Sequence, residues 1–260
     1  WYFYKRTQNL SDYILGGRGL NKWVTSISAQ ASDMSGWLLM GLPGLAYLSG
    51  LEAIWMVVGL AAGTYINWKI IARRLRIYTE LVGNSITLPD YFENRFHDRT
   101  HILRLFAAIF ILIFFTIYTS SGFVAGAKLF EEVFDFNYHY SLITGVLIII
   151  GYTFLGGFNA VSWTDLIQGM LMFFAIIIIP VIAVFSEGGI ENNYEKIKHL
   201  NNNLLNVFTD NQGNPLSYIV ILSMVGWGFG YFGQPHILSR FMAIKTPGQI
   251  KDSRKIAMTW

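Results

Sequence analysis

The feature that most limits this chain is a succession of long apolar runs separated by short polar ones. A bilayer-crossing helix needs about 20 mostly apolar residues. Six stretches qualify: 23–48, 53–71, 105–130, 141–156, 163–186 and 217–239. Two runs are almost uninterrupted, 105–117 and 171–185, the second containing Ile176-Ile177-Ile178-Ile179-Pro180. One such run can sit inside a soluble core, but several in series require lipid, where the backbone must satisfy its own hydrogen bonds. The expected fold class is therefore all-α, a polytopic membrane protein. Charged residues make up only 13% of the chain, against about 25% in soluble domains.

Basic residues set the expected orientation. If each stretch crosses once and Lys5–Lys22 faces the cytoplasm, 16 of the 19 Lys and Arg fall inside, with Lys128, Lys196 and Lys198 outside. That asymmetry fits the positive-inside rule and assigns Arg240 to the cytoplasmic set. The same alternation makes 72–104 a cytoplasmic loop, with a short amphipathic helix around Pro89-Asp90-Tyr91-Phe92-Glu93. It makes 187–216 an external loop in which Asn192, Asn193 and Asn201–Asn203 form a solvated surface. Trp1-Tyr2-Phe3-Tyr4-Lys5-Arg6 reads as an aromatic belt leaving the bilayer on its cytoplasmic side, and the chain is expected to be a fragment.

Several functions are not expected. The basic excess is only +3 and lies between apolar runs, so no nucleic-acid partner is anticipated. Without cysteine there is no disulfide or thiol chemistry. His97 and His101 sit in a basic, solvated stretch, and no nucleophile, phosphate-loop or zinc motif is visible. The chain is expected to be neither an enzyme nor a cofactor protein.

Two stretches differ from the rest. One contains Ala29-Gln30-Ala31-Ser32-Asp33-Met34-Ser35-Gly36-Trp37 and then Gly41-Leu42-Pro43-Gly44; the other runs from Gly226 through Trp227, Gly228, Gly230, Tyr231 and Gly233 to Gln234-Pro235. Gly and Pro disfavour a continuous helix. Unwinding at membrane depth frees carbonyls and amides that an ion or a solute can satisfy. The competing reading is that these glycines only permit close packing, as Gly122-Phe123-Val124-Ala125-Gly126 is expected to do.

Asp33 is the most informative residue. A charge at the bilayer centre costs about 2.5–3.5 kcal/mol even on insertion scales and normally has a partner. No Lys or Arg lies within ten residues of it, which points to a cation, with Ser32, Ser35 and the carbonyls of Ala31 and Met34 nearby; a cap on a broken helix is the alternative. Asp165, after Ser162-Trp163-Thr164, reads equally as a helix cap or as a gating or ion-exit group. Arg18 lies in Gly16-Gly17-Arg18-Gly19, as a topology charge or a gate. Trp37, Tyr118, Trp227 and Tyr231 could line a pocket for a small ring.

The residues Ser32 to Gly44 resemble the sodium/solute symporter family, in particular its proline-carrying bacterial branch. So do Asp12-Tyr13-Ile14-Leu15-Gly16-Gly17-Arg18, Leu88-Pro89-Asp90-Tyr91-Phe92, Ala160-Val161-Ser162-Trp163-Thr164-Asp165, and Gly226 to His236. The resemblance runs along essentially the whole chain. It implies part of a LeuT-like core of two inverted five-helix repeats, in the cell inner membrane, coupling Na⁺ to uptake of L-proline. It implies sodium-site roles for Ala31, Asp33 and Met34. It implies a substrate pocket of Ser35, Trp37, Gly41, Tyr118, Trp227, Tyr231 and Pro235. It implies gating or coupling roles for Arg18 and Asp165. The remaining sodium ligands would lie beyond Trp260. Rival expectations are a same-fold symporter for a sugar, pantothenate or another amino acid, a symporter-like sensor domain, and a pore.

Overall fold

A computed structural model describes residues 3–260; Trp1 and Tyr2, the start of the expected aromatic belt, lie outside the described residues, as do the side chains of Arg6 and Leu39. Helix α1 (Leu10–Leu15) begins where the Asn9 side chain accepts from Asp12 N and ends at Gly16 with φ 62°. Helix α2 (Lys22–Asp33) starts on Asn21, whose side chain accepts from Trp23 N and Val24 N, and stops at Met34 with φ −72° and ψ 82°. A π-turn over Trp37–Gly41 leads into α3 (Leu42–Ser49). The stretch 23–48 is thus two half-helices meeting at Met34 and Ser35.

After Gly50, α4 (Ile54–Ile66) continues through a second π-turn, Asn67–Ala72, into α5 (Arg73–Leu81). Thr87 caps α6 (Leu88–Phe96) by accepting from Asp90 N, with Pro89 in its first turn, as suits a residue lacking an amide proton. Helix α7 (Ile102–Phe134) is unbroken over 33 residues. Helix α8 (Tyr138–Ser186) holds 49 residues and turns at Gly157 (φ 57°, ψ −157°). A Cβ on Gly157 would lie 2.8 Å from Tyr13 O, so only glycine makes this corner. The segments 138–156 and 158–186 therefore join at one residue. Then come α9 (Gly189–Asn201), α10 (Tyr218–Gly226), a 3₁₀ stretch Trp227–Gly233, α11 (Pro235–Ala243) and α12 (Ile250–Thr259). Among the described residues, Leu42–Leu81, Ile102–Phe134 and Tyr138–Ser186 are long and apolar enough to cross a membrane.

Burial is concentrated at one end, where Leu15, Leu20, Val24, Trp68, Phe241 and Ile244 pack together, with Trp68 edge-on to Phe241 at 4.5 Å. Helices α7 and α8 instead turn their apolar side chains outward; Leu112 is 67% and Ile148 61% exposed.

One expectation is filled in and a second is corrected. The asparagines of 187–216 are structural as well as polar: Asn193 donates to Val184 O (3.1 Å) and Gly189 O (2.7 Å), and Asn201 donates to Asn211 O (2.7 Å). The segment is pinned to the bundle by Trp55 Nε1, which donates to Val207 O at 2.7 Å. Unpaired backbone groups in a turn compete for such short amide side chains. The correction concerns Gly122 and Gly126, which face an open groove of about 440 Å³. Close approach on α7 runs through Ala125, whose Cβ would lie 2.5 Å from a Cβ on Gly36. The tightest glycine contact is elsewhere: a Cβ on Gly228 would lie 2.0 Å from Gly59 O, and one on Gly63 2.2 Å from Gly228 O. Gly59 and Gly63, four apart on α4, thus let the 3₁₀ stretch rest on helix backbone.

Candidate functional site

The two interrupted helices meet. Where α2 ends, Met34 N donates to Ala31 O (3.2 Å) and Ser35 N to Asp33 O (2.8 Å). In the 3₁₀ stretch opposite, Tyr231 O is left without a helical partner and accepts from Asn67 Nδ2 at 2.9 Å. Asn67 opens the π-turn of α4 and is buried, and π-turns of this kind often mark functional positions. From that anchored backbone, Tyr231 Oη donates to Asp33 Oδ2 at 2.6 Å, a charge-assisted bond across the two breaks. The Trp37 and Trp227 indoles stack beside it, centroids 4.4 Å apart and planes at 19°.

Between these contacts lies a cavity of about 270 Å³, lined by Asp33, Ser35, Trp37, Tyr118, Trp227 and Tyr231 together with Leu38, Leu60 and Gln234. Its size is at the low end for ligand sites, which suits a small solute. Gly41 does not line it; a Cβ there would lie 2.9 Å from Trp37 Cδ1, so this glycine makes room for the indole. Pro235 lines a different cavity, beside Leu10, Leu88 and Met242, and is the first residue of α11. Ala31 and Met34 are not among the lining residues; Ala31 packs toward Gly169, where an added Cβ would approach it to 3.2 Å.

A second carboxylate lies outside the cavity. Asp165 sits within segment 158–186, beyond the reach of an N-cap position, and Oδ2 accepts from Ser28 Oγ (2.6 Å), Arg240 Nη2 (3.0 Å) and Ser32 Oγ (3.3 Å). The cap reading of Asp165 is thereby replaced by an interhelical ion pair. Arg240 is buried, donates also to Ser28 Oγ (3.0 Å) and His236 O (2.7 Å), and stacks over the Phe158 ring. Counted from the sequence among the cytoplasmic-side charges, it spends its charge inside the bundle. Ser32, expected beside the cation at Asp33, turns its hydroxyl to Ser28 O (2.5 Å) and Asp165.

The family model for the sodium:solute symporter family matches residues 13–260 of the chain. This chain belongs to that family. Among curated relatives of this family member is the Escherichia coli (strain K12) sodium/proline symporter, 51% identical over 99% of this chain and 50% of the relative. A high-affinity proline transporter, PutP, of Bacillus subtilis (strain 168) is 50% identical over all of this chain and 54% of its own length. The family member thus spans about half the length of the curated relatives it matches. A solved Na⁺-coupled sialic acid symporter superposes with a TM-score of 0.78 at 19% identity, over 99% of this chain and 53% of that one. The fold is accordingly the LeuT-like sodium-symporter fold, and the chain is part of a membrane protein.

Arg18, the other residue singled out, lies far from the cavity in a positive-φ turn. Its guanidinium donates to Met242 O (2.7 Å), Ser85 O (2.9 Å), Thr79 Oγ1 (3.2 Å) and Asn84 Oδ1 (3.3 Å). Arg76 donates to Ile244 O at 2.7 Å, so two guanidinium groups cap the carbonyl end of α11, where positive charge is favoured. Leu20 and Lys245 complete the lacing through Leu20 N to Ala243 O (3.1 Å) and Lys245 N to Leu20 O (2.8 Å). Burial and the neighbouring Arg76 charge pull the Arg18 guanidinium below its ordinary pKa, with Glu80 opposing.

Three residues that matter here were not singled out in the sequence. Asn67 had a signal, being an amide inside an apolar run. Arg240 could have been inferred from the need of Asp165 for a countercharge. Gln234 stood in a quoted motif, but only the assembled cavity gives it a place.

Proposed function

We propose that the complete protein carries L-proline into the cell together with Na⁺ by alternating access across the inner membrane. The observation that carries this reading is the bond between Tyr231 and Asp33, which joins the two interrupted helices beside a solute-sized cavity. The names of several relatives, sodium/proline symporter and proline transporter, support proline as the solute.

On this reading Na⁺ enters beside Asp33, with the carbonyls of Ala31 and Met34 as further oxygen donors and the rest supplied by residues after Trp260. Hard oxygen ligands of this kind suit an alkali ion. Ser35, Trp37, Tyr118, Trp227 and Tyr231 hold the proline; Gly41 keeps the Trp37 indole in place and Pro235 sets the start of α11. The stacked indoles offer an apolar wall to the pyrrolidine ring, and the carboxylate and hydroxyls meet its polar edge. Arg18 keeps the cytoplasmic ends of both interrupted helices together, so inward opening requires its four hydrogen bonds to break. Asp165, held by Arg240, reports the movement of α11 to segment 158–186. Each Na⁺ moving inward down 100 mV supplies about 2.3 kcal/mol for solute accumulation.

The test is uptake of labelled proline into vesicles reconstituted with the complete protein. Uptake is expected to need an inward Na⁺ gradient and to resist competition by sugars, pantothenate and other amino acids. Equal uptake without Na⁺, or displacement of proline by one of those competitors, defeats the reading.

A further inference from the structure

We infer that the side-chain amide of Gln234 reads the ring ammonium of the substrate, and so separates an imino acid from ring acids of the same shape. This rests on the symporter reading above and adds to it the residue that recognises the substrate's nitrogen.

Gln234 Oε1 is buried and has no hydrogen-bond partner among the described residues, while its side chain lines the cavity beside Asp33, Ser35 and Tyr118. An acceptor left unpaired in a buried place costs about 1–3 kcal/mol, and a ligand entering the adjoining cavity is the group that relieves it. The position is rigid. A residue before proline is kept out of the helical region, and Gln234 is extended with φ −79° and ψ 108°. Its own carbonyl accepts from Ile237 N (3.2 Å) and Leu238 N (3.0 Å). Pro235 therefore acts at one remove: it fixes the backbone from which the amide reaches the cavity, although its own ring lies elsewhere.

The chemistry of the walls selects which end of the guest the amide meets. No basic side chain is among the lining residues, and the one charged group is a carboxylate. Such a cavity favours the positive end of a zwitterion. A secondary ammonium brings two N–H donors, enough for Gln234 Oε1 and one further acceptor. Its ring carbons meanwhile meet Trp37 and Trp227, whose indoles form one wall.

The experiment compares proline with tetrahydrofuran-2-carboxylate, in which oxygen replaces the ring nitrogen. Both are measured as competitors of labelled proline uptake by the complete protein, for the wild type, Q234L, Q234M and Q234E. A hydrogen bond to a charged group corresponds to about ten- to a hundredfold. Q234L and the near-isosteric Q234M should therefore raise the KM for proline by about tenfold or more and shrink its advantage over the oxygen analogue by the same factor. Maximal rate and Na⁺ dependence should hold. Q234E, which keeps an acceptor, should retain the preference. An equal loss for both ligands, as expected if the amide binds the carboxylate, overturns the inference. So does an unchanged ratio, as expected if another part of the protein satisfies Oε1. A wild type that takes up no proline would instead defeat the parent reading.

Discussion

Asp33 and Asp165 are both withdrawn from bulk water on neighbouring helices, yet only one of them has a cation of its own. Asp165 is met by the Arg240 guanidinium at 3.0 Å and by Ser28 at 2.6 Å. Asp33 is met by a neutral phenol, Tyr231, at 2.6 Å, and no basic side chain among the described residues pairs with it. A carboxylate supplied with its countercharge is a fixed part of the packing. One supplied only with a hydroxyl must obtain its cation from outside, and on the proposed reading that cation is Na⁺.

The largest effect should come from breaking the pair that is complete. R240A leaves Asp165 charged and buried, and removing one partner of such a pair costs about 3–5 kcal/mol. The complete protein should show a clear fall in melting temperature or membrane yield. R240A/D165A, which removes both charges, should recover most of it. If the double variant is as unstable as the single one, Arg240 acts through packing over Phe158 and the contrast between the two acids is lost.

D33A should behave in the opposite way. It removes a charge that costs about 2.5–3.5 kcal/mol to insert, so membrane yield should hold or rise. The Na⁺ concentration for half-maximal uptake should increase by about a hundredfold or more, each tenfold corresponding to about 1.4 kcal/mol. Loss of yield with unchanged Na⁺ dependence would make Asp33 another structural acid.

Y231F sharpens the contrast at lower amplitude. It deletes the bond to Asp33 but keeps the ring, at a cost of about 1.5–3 kcal/mol for a bond to a charged group. Since the phenol and Na⁺ compete for the same oxygens, apparent Na⁺ affinity should fall far less than in D33A, or improve, while the proline KM rises. A Na⁺ defect as deep as that of D33A would show that Tyr231 itself completes the ion site.

Legibility in the sequence followed the range of the interactions. The apolar runs and the two Gly- and Pro-rich breaks are local patterns, and they indicated helices, interruptions and the residues beside them. Asp33 was readable because a lone acid in an apolar run is conspicuous by itself. Arg240 was not, because its partner is 75 residues away and a basic residue near a span end usually does belong to the interface. Asn67 caps a carbonyl 164 residues away, a pairing that nothing local announces. Pro235 was grouped with the pocket by the family resemblance, whereas it acts on the backbone of the residue before it. A turn between the apolar stretches 141–156 and 163–186 followed from alternation alone. That Gly157 by itself makes the corner was not readable, because one positive-φ residue leaves no charged or strongly polar gap.

Ser32 offers the smallest and most discriminating test, because it adjoins Asp33 in sequence and Asp165 in space. Its one hydroxyl proton is shared between Ser28 O at 2.5 Å and Asp165 Oδ2 at 3.3 Å, and the shorter contact takes most of it. Asp165 keeps Arg240 and Ser28 when Ser32 is removed, so S32A should cost no more than about 0.5–1.5 kcal/mol, the value of an ordinary hydrogen bond. That corresponds to a shift of no more than about 1–6 °C, at about 2–4 °C per kcal/mol. Na⁺ dependence should not move, because the hydroxyl faces away from the cavity. If S32A instead raises the Na⁺ requirement as D33A does, the hydroxyl turns toward Asp33 when the ion is bound. The two carboxylates would then belong to one network, with Ser32 as the relay between them.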